Sequence, residues 1–172
     1  MIIILMGASG CGKTTIGEQL ALEQGLPFFD ADDFHPKANI EKMNNNVALS
    51  DADRLPWLHT LAEKTYEWET KEGAVLACSA LKESYRAILA SKQSNILWVY
   101  LSGTFELIST RLQKRSNHYM KNALLQSQFD TLEVPNYGLH INIENSIDDI
   151  IKGINSKLKQ MNQKKNTLNP GV

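Results

Sequence analysis

Met1-Ile-Ile-Ile-Leu-Met6, followed at once by Gly7-Ala-Ser-Gly-Cys-Gly12-Lys13-Thr14, decides the fold. The first six residues carry no charge and read as a short buried strand. The next eight fit G-x-x-x-x-G-K-[ST], a phosphate-binding loop. Beyond it Ile16, Leu20 and Ala21 recur on one helical face. The loop therefore joins a strand to a helix, the setting this motif requires. Gly7, Gly10 and Gly12 lack Cβ atoms, so the backbone can approach an anion closely. The helix start adds unpaired N–H groups and the positive end of its dipole. Lys13 supplies a point charge for the β- and γ-phosphates of a nucleoside triphosphate, and Thr14 a hydroxyl for Mg²⁺. The nucleotide-binding set read from this stretch is Gly7, Ala8, Ser9, Gly10, Cys11, Gly12, Lys13, Thr14 and Thr15. Cys11 stands at a variable motif position and reads as filler rather than nucleophile.

The bulk numbers leave this reading intact. A chain of 172 residues with 42% hydrophobic and 22% charged residues is most simply one globular domain. A net charge of −1 offers no electrostatic case for nucleic acid or an anionic membrane. No apolar run approaches the length of a membrane span, and the N-terminal run lacks a basic leader and ends in glycines, unlike a signal peptide. Two cysteines, Cys11 and Cys78, fit reduced thiols and a cytoplasmic location.

The rest of the chain alternates strand and helix. Leu26-Pro-Phe-Phe-Asp30 reads as a second strand ending in Asp30, Asp32, Asp33 and His35. Ligands of parallel α/β sheets bind at strand ends. Beside a phosphate loop, such carboxylates can orient the waters of Mg²⁺ or take a proton from a hydroxyl. They also suit turns and caps. A short helix is expected over 37–43. Ser50-Asp-Ala-Asp53 forms a capping box for a long helix reaching about Lys71. Asp51 and Asp53 then read as dipole-stabilising residues. Arg54 is unfavourable in a first turn, which points to a tertiary or ligand contact. Trp57 and Trp68 read as core. Ala74 to Cys78 is a third strand, and Lys82 and Arg86 in the following helix lie four apart on one face. That pair is either a solvated basic surface or a site for a shared anion. Ile96 to Leu101 is a fourth strand, and the helix after Thr104 ends with Arg111, Lys114 and Arg115. Residues 116–136 read as a lid holding one helix, about 120–129. His140 to Ile143 is a fifth strand, and Ser146 starts a last helix with the stripe Ile147, Ile150, Ile151, Ile154, Leu158 and Met161. Residues 161–172 are polar and read as a flexible tail. The expectation is a three-layer α/β/α fold with a five-stranded parallel sheet and a helical lid, as one kinase domain over 1–160.

Several segments resemble the small P-loop gluconokinases, a family related to shikimate and nucleoside monophosphate kinases. They are Asp30-Ala-Asp32, His35-Pro36, Asn39 to Met43, Leu49 to Leu58, Cys78-Ser-Ala-Leu-Lys82 with Tyr85-Arg86, and Gln128-Phe129-x-x-Leu132-Glu133-x-Pro135. Ala31 stands where many relatives carry Gly. The resemblance implies ATP- and Mg²⁺-dependent phosphorylation of D-gluconate at its 6-hydroxyl. It implies catalytic roles for Lys13, Asp32 and Arg115. Asp32, His35, Arg54, Lys82, Arg86 and Gln128 would hold the acid, and Asp30 with Thr14 would serve the metal, Asp30 through water. Arg111 would flank the adenine, and His118 would be a cap or substrate contact. It implies a homodimer as well. Two other readings remain open: a kinase for another small hydroxy acid such as shikimate, or a non-catalytic ATP-binding module.

Overall fold

The structure is a computed structural model that describes residues 1–45, 47–93, 95–114 and 122–168. Five strands form one parallel sheet: β1 (Ile2–Met6), β2 (Phe28–Asp30), β3 (Ala74–Ala77), β4 (Ile96–Ser102) and β5 (Leu139–Asn142). Their order is β2-β3-β1-β4-β5, which places β1 at the centre. It pairs with β3 through Ile2↔Ala74 and with β4 through Ile2↔Ile96. A strand covered on both faces needs apolar side chains at every position, not alternate ones. All five residues of β1 are fully buried.

The pleat sends those side chains into two cores. Ile3 and Leu5 pack with Ile16 and Leu20 of α1 (Lys13–Gln24), Ile108 and Leu112 of α5 (Phe105–Gln113), and Ile150 and Ile154 of α7 (Ile147–Leu168). Ile2, Ile4 and Met6 pack with Trp57, Leu58 and Leu61 of α3 (Asp51–Thr70) and Tyr85 and Leu89 of α4 (Glu83–Leu89). Two helices complete the fold: α2 (Lys37–Asn44) and α6 (Asn122–Thr131). The three layers and the parallel five-stranded sheet agree with the sequence reading. Trp57 and Trp68 are core residues, Trp68 stacked on Phe29 at 3.9 Å.

The differences have local causes. β2 starts at Phe28, not Leu26, because the Leu26 N–H is taken by Ala21 O at the end of α1. Pairing begins at Pro27, which can only accept, from Val75 N. The last helix extends past Gln160: α7 runs to Leu168. Beyond Met161 the apolar stripe stops, but Gln and Lys are good helix formers, so backbone propensity carries the helix on. α6 ends at Thr131, two residues past its sequence estimate. Gly17 of α1 was not singled out in the sequence, yet it permits close packing. A Cβ there would lie 2.4 Å from the Phe28 ring.

Candidate active site

The carboxyl ends of β1, β2 and β3 open into a cleft of about 380 Å³, the expected place for ligands in such a sheet. Ser9, Lys13, Asp30, Asp32, His35 and Arg54 line it from the sheet side, and Leu124, Ser127, Gln128 and Thr131 from α6. Those four sit at helical spacing, so one stripe of α6 forms the opposite wall. Leu125 is fully buried and Phe129 packs edge-on to Phe105, which fixes that stripe toward the cleft.

The glycine loop has the geometry its sequence requires. Gly7 has φ 141°, and a Cβ there would lie 2.8 Å from Leu101 O. No side chain caps the start of α1, and its first turn contains no acidic residue. Its N–H groups are thus offered to an anion. Lys13 Nζ donates to Gly7 O at 3.0 Å and Ala8 O at 3.1 Å, which leaves a third N–H for a phosphate. Thr14 Oγ1 donates to Asp30 Oδ2 at 3.0 Å. Asp30 Oδ1 accepts from Asp32 N at 3.1 Å and so caps the 3-10 turn that carries Asp32. Hydroxyl and carboxylate oxygens suit Mg²⁺, which takes hard oxygen donors and keeps several waters. Among the described residues no three His, Cys, Asp or Glu side chains converge as a metal cage, so phosphate oxygens and water would complete such a shell.

Asp32 projects into the cleft. Its burial against the cleft floor and the nearby Asp30 carboxylate raise its pKa, with Lys13 opposing them. Water still reaches much of the side chain, 78% exposed, so burial acts fully only once a ligand fills the cleft. His35 is the reverse case: burial and the neighbouring Arg54 lower its pKa to about 4. Its ring stacks on Trp57 at 4.2 Å. Cys78 lines the cleft floor as an inert thiol, pushed up to about 12 by burial.

Of the three cations assigned to the acid, the structure brings only Arg54 to the cleft wall. Arg54 donates to Leu49 O and lies over the Tyr85 ring. Lys82 is tied to both oxygens of Asp51 at 2.8 Å and does not line the cleft. Asp51 also accepts from Tyr85 OH, and these bonds lower its pKa, the Lys82 bond most. Asp51 thus does more than stabilise a helix dipole: it joins α3 to α4. Asp53 closes the capping box as read from the sequence, and Lys42 beside it contributes most to a pKa lowered to about 2.

Arg86 is corrected outright. Its side chain is 1% exposed and every guanidinium nitrogen is engaged. Nη1 donates to Ala80 O and Leu81 O, Nη2 to Glu133 O and Glu83 Oε2, and Nε to Glu83 Oε2 and Tyr137 OH. It fastens the turn after β3 to the segment after α6 and has no N–H left for a substrate. Gln128 does reach the cleft, but as a clasp. Its Oε1 accepts from Ser9 N at 2.7 Å, and its Nε2 donates to Ser9 Oγ at 3.1 Å. The α6 wall is thereby bonded to the glycine loop.

On the other side of that loop lies a second cavity of about 300 Å³, lined by Gly10, Gly12, Thr15, Arg111, Ile143 and Asn145. Arg111 Nη2 donates to Ile143 O at 2.8 Å, which ties its side chain to the cavity wall. Arg115 and His118 lie outside the described residues.

A family model described as shikimate kinase matches residues 9–160. The probable gluconokinase of Dictyostelium discoideum is 41% identical across 92% of this chain and 86% of its own. The thermosensitive gluconokinase of Escherichia coli K12 is 45% identical across 77% of this chain and 71% of its own. The chain belongs to the gluconokinase family, within the wider shikimate kinase group. The crystal structure of a gluconokinase from Sinorhizobium meliloti 1021 superposes with a TM-score of 0.89 at 33% identity, covering 97% of this chain and 96% of that one. The gluconokinase fold thus accounts for the sheet order, the glycine loop and the α6 wall together.

Sequence reasoning placed Asn39 in a resembling segment but missed its contact with His35, and it missed the Asp51–Lys82 pair and the anchoring role of Arg86. Asn39 had a signal, since it lies four residues after His35 in a helix start. The other two join elements 31 or more residues apart, for which local sequence carries no sign.

Proposed function

We propose that this chain transfers the γ-phosphoryl group of ATP to the 6-hydroxyl of D-gluconate, giving 6-phospho-D-gluconate and ADP. The observation that carries the reading, beside family membership, is the composition of the main cleft. It joins a phosphate loop with Lys13 to the Asp32 carboxylate and the Arg54 cation. Phosphoryl transfer asks a protein mainly for positioning and charge neutralisation. Lys13 and the N–H groups opening α1 hold the β- and γ-phosphates. Thr14 would hold Mg²⁺, with Asp30 acting through its waters, and the metal would supply charge neutralisation at the phosphates. Arg54 pairs with the gluconate carboxylate, and Asp32 hydrogen-bonds the 6-hydroxyl. The hydroxyl oxygen forms its bond to Pγ as the Pγ–O bond to ADP breaks, and the proton passes to Asp32 and then to water. Arg115 belongs to this proposal as a contact for the transferring phosphate, and Arg111 as the residue flanking adenine in the second cavity. His35 and Gln128 enter as cleft residues beside the acid.

Closure over the cleft would exclude water, which otherwise competes as the acceptor. A cytoplasmic location and a homodimer complete the reading; fractionation and sedimentation equilibrium test them. Among the described residues no helix is long and apolar enough to cross a membrane. The deciding assay is ADP release with ATP and Mg²⁺ in the presence of gluconate, with shikimate as control. Gluconate-dependent release supports the proposal. Release with shikimate alone, or nucleotide binding with no acid-dependent release, refutes it.

A further inference from the structure

Asn39 faces the ring of His35. It is 4% exposed within α2, and both protons of its amide are committed. Its Nδ2 donates to the backbone carbonyl of Asp53 at 2.9 Å and lies 3.3 Å from His35 Nδ1. A carbonyl can only accept, so the Asn39 atom facing it is the nitrogen. The second N–H of that nitrogen points at His35 Nδ1, which must then be the unprotonated ring nitrogen. The proton of the neutral imidazole sits on Nε2. That nitrogen lies 3.8 Å from Asp32 Oδ1. The ring cannot turn away easily, because it is stacked on Trp57 at an interplanar angle of 14°. Burial and Arg54 keep a second proton off it.

We propose that His35 is a positioning residue for Asp32: a tautomer-locked neutral imidazole whose Nε2–H orients the Asp32 carboxylate toward the acceptor hydroxyl, with Asn39 setting the tautomer. The 3.8 Å separation exceeds a hydrogen bond and closes by a small rotation of the solvent-exposed Asp32 side chain. Catalytic bonds are often long before substrate binds. Neutrality has a purpose here. A cation in this place would stabilise the carboxylate and weaken it as a proton acceptor, whereas a neutral N–H orients it without a full charge. The inference also gives a physical reason for the spacing Asp32-x-x-His35-Pro36-x-x-Asn39. Pro36 O accepts from Asn39 N at 2.9 Å and holds Asn39 in the first turn of α2.

The inference rests on the kinase reading for Asp32, but its tautomer can be read without turnover. Long-range ¹H–¹⁵N spectra of the labelled wild type at pH 7, with His35→Phe assigning the ring, should show His35 protonated on Nε2 only. In the gluconate assay, His35→Phe keeps a ring against Trp57 but removes the donor. It should lower kcat about 10- to 100-fold, the scale of a mispositioned catalytic group, with gluconate KM changed less than about threefold. His35→Gln restores an N–H and should recover most of kcat. Asn39→Asp should draw the proton to Nδ1 and lower kcat although His35 is intact. A proton on Nδ1, a doubly protonated ring, or a His35→Phe enzyme within threefold of wild-type kcat overturns the proposal. If wild type fails to use gluconate, the substrate reading falls, and the spectrum still decides the tautomer.

Discussion

Replacing Arg86 with methionine separates a structural arginine from a substrate-binding one. Methionine keeps the length and apolar stem but removes the planar fork. Three backbone carbonyls, those of Ala80, Leu81 and Glu133, lose a charged donor. Leu81 O keeps a second partner in Glu133 N at 2.9 Å, so two carbonyls bear most of the loss. A buried polar group left unpaired costs about 1 to 3 kcal/mol. Glu83 and Tyr137 also lose a partner, but Glu83 is about half exposed and re-solvates. Ala80 has φ 43°, a left-handed conformation that a non-glycine residue adopts at a cost of about 1 to 2 kcal/mol. Arg86 holds its carbonyl in place, and relaxation of that turn without the fork would return about 1 to 2 kcal/mol of strain. Two unpaired carbonyls less that relief give a net destabilisation of about 1 to 4 kcal/mol. For a chain of this size each kcal/mol shifts Tm by about 2 to 4 °C, so Tm should fall by about 2 to 16 °C. Calorimetry and urea unfolding measure this directly. Arg86→Lys keeps charge without the fork and should fall between wild type and Arg86→Met. If Arg86→Met leaves Tm within about 2 °C of wild type while raising gluconate KM tenfold, Arg86 is a substrate ligand and the structural reading is wrong.

The other predictions rest on separate contacts. Arg54→Ala should raise gluconate KM at least tenfold, while Lys82→Ala, whose ammonium is held outside the cleft by Asp51, should change it less than threefold; the reverse order would move the carboxylate site. For His35, a folded-state pKa of about 4 against an ordinary 6.5 means the unfolded chain binds more protons between those values. Stability from the neutral ring is then fully present above pH 6.5 and is lost as pH falls toward 4, by at most about 3 kcal/mol at 1.36 kcal/mol per pH unit. The difference in unfolding free energy between wild type and His35→Phe should therefore shrink from pH 7 to pH 4.5, and a constant difference refutes the assignment. Gly17→Ala would be a favourable helix substitution in isolation, by about 1 kcal/mol, but its Cβ would meet the Phe28 ring at 2.4 Å. A net loss of about 1 to 2 kcal/mol by urea unfolding is expected from overpacking; a gain would show that Phe28 moves freely.

The legible parts of this chain were those whose causes are local. β1, the glycine loop and α1 follow from a continuous apolar run, three glycines and a helical stripe within 24 residues. The capping box at Ser50 is written in four residues and is present as written. Arg86 was misread because its burial depends on Glu133 and Tyr137, which reach it from about 50 residues away. Lys82 and Arg86 share a helical face in principle, yet Asp51 draws one outward and Glu133 draws the other inward. Spacing shows which side chains can be neighbours; it does not show which partner wins. Gln128 fell between these cases, found by family resemblance as a site residue but with its bond to Ser9 unreadable from sequence.

The distribution of charge in the cleft bears on which hydroxyl reacts. With Lys82 paired outside and Arg86 buried, Arg54 is the cation that the acceptor side presents on the described cleft wall. Asp30 and Asp32 face the phosphate loop and repel a substrate carboxylate. On the proposed reading an acidic sugar chain would be polarised on entry: its carboxylate would be drawn to Arg54 and driven from Asp32, and the end remote from the carboxylate would be brought to Asp32 and Lys13. For gluconate that end is the 6-hydroxyl. Removing two of the three expected cations from the site makes this orientation firmer, because a cleft with several cations would accept the carboxylate in several places. On this reading the buried Arg86 would serve specificity indirectly, by keeping the β3–α4 turn and the segment after α6 in fixed register around a cleft whose described cations are Lys13 on the phosphate side and Arg54 on the acceptor side.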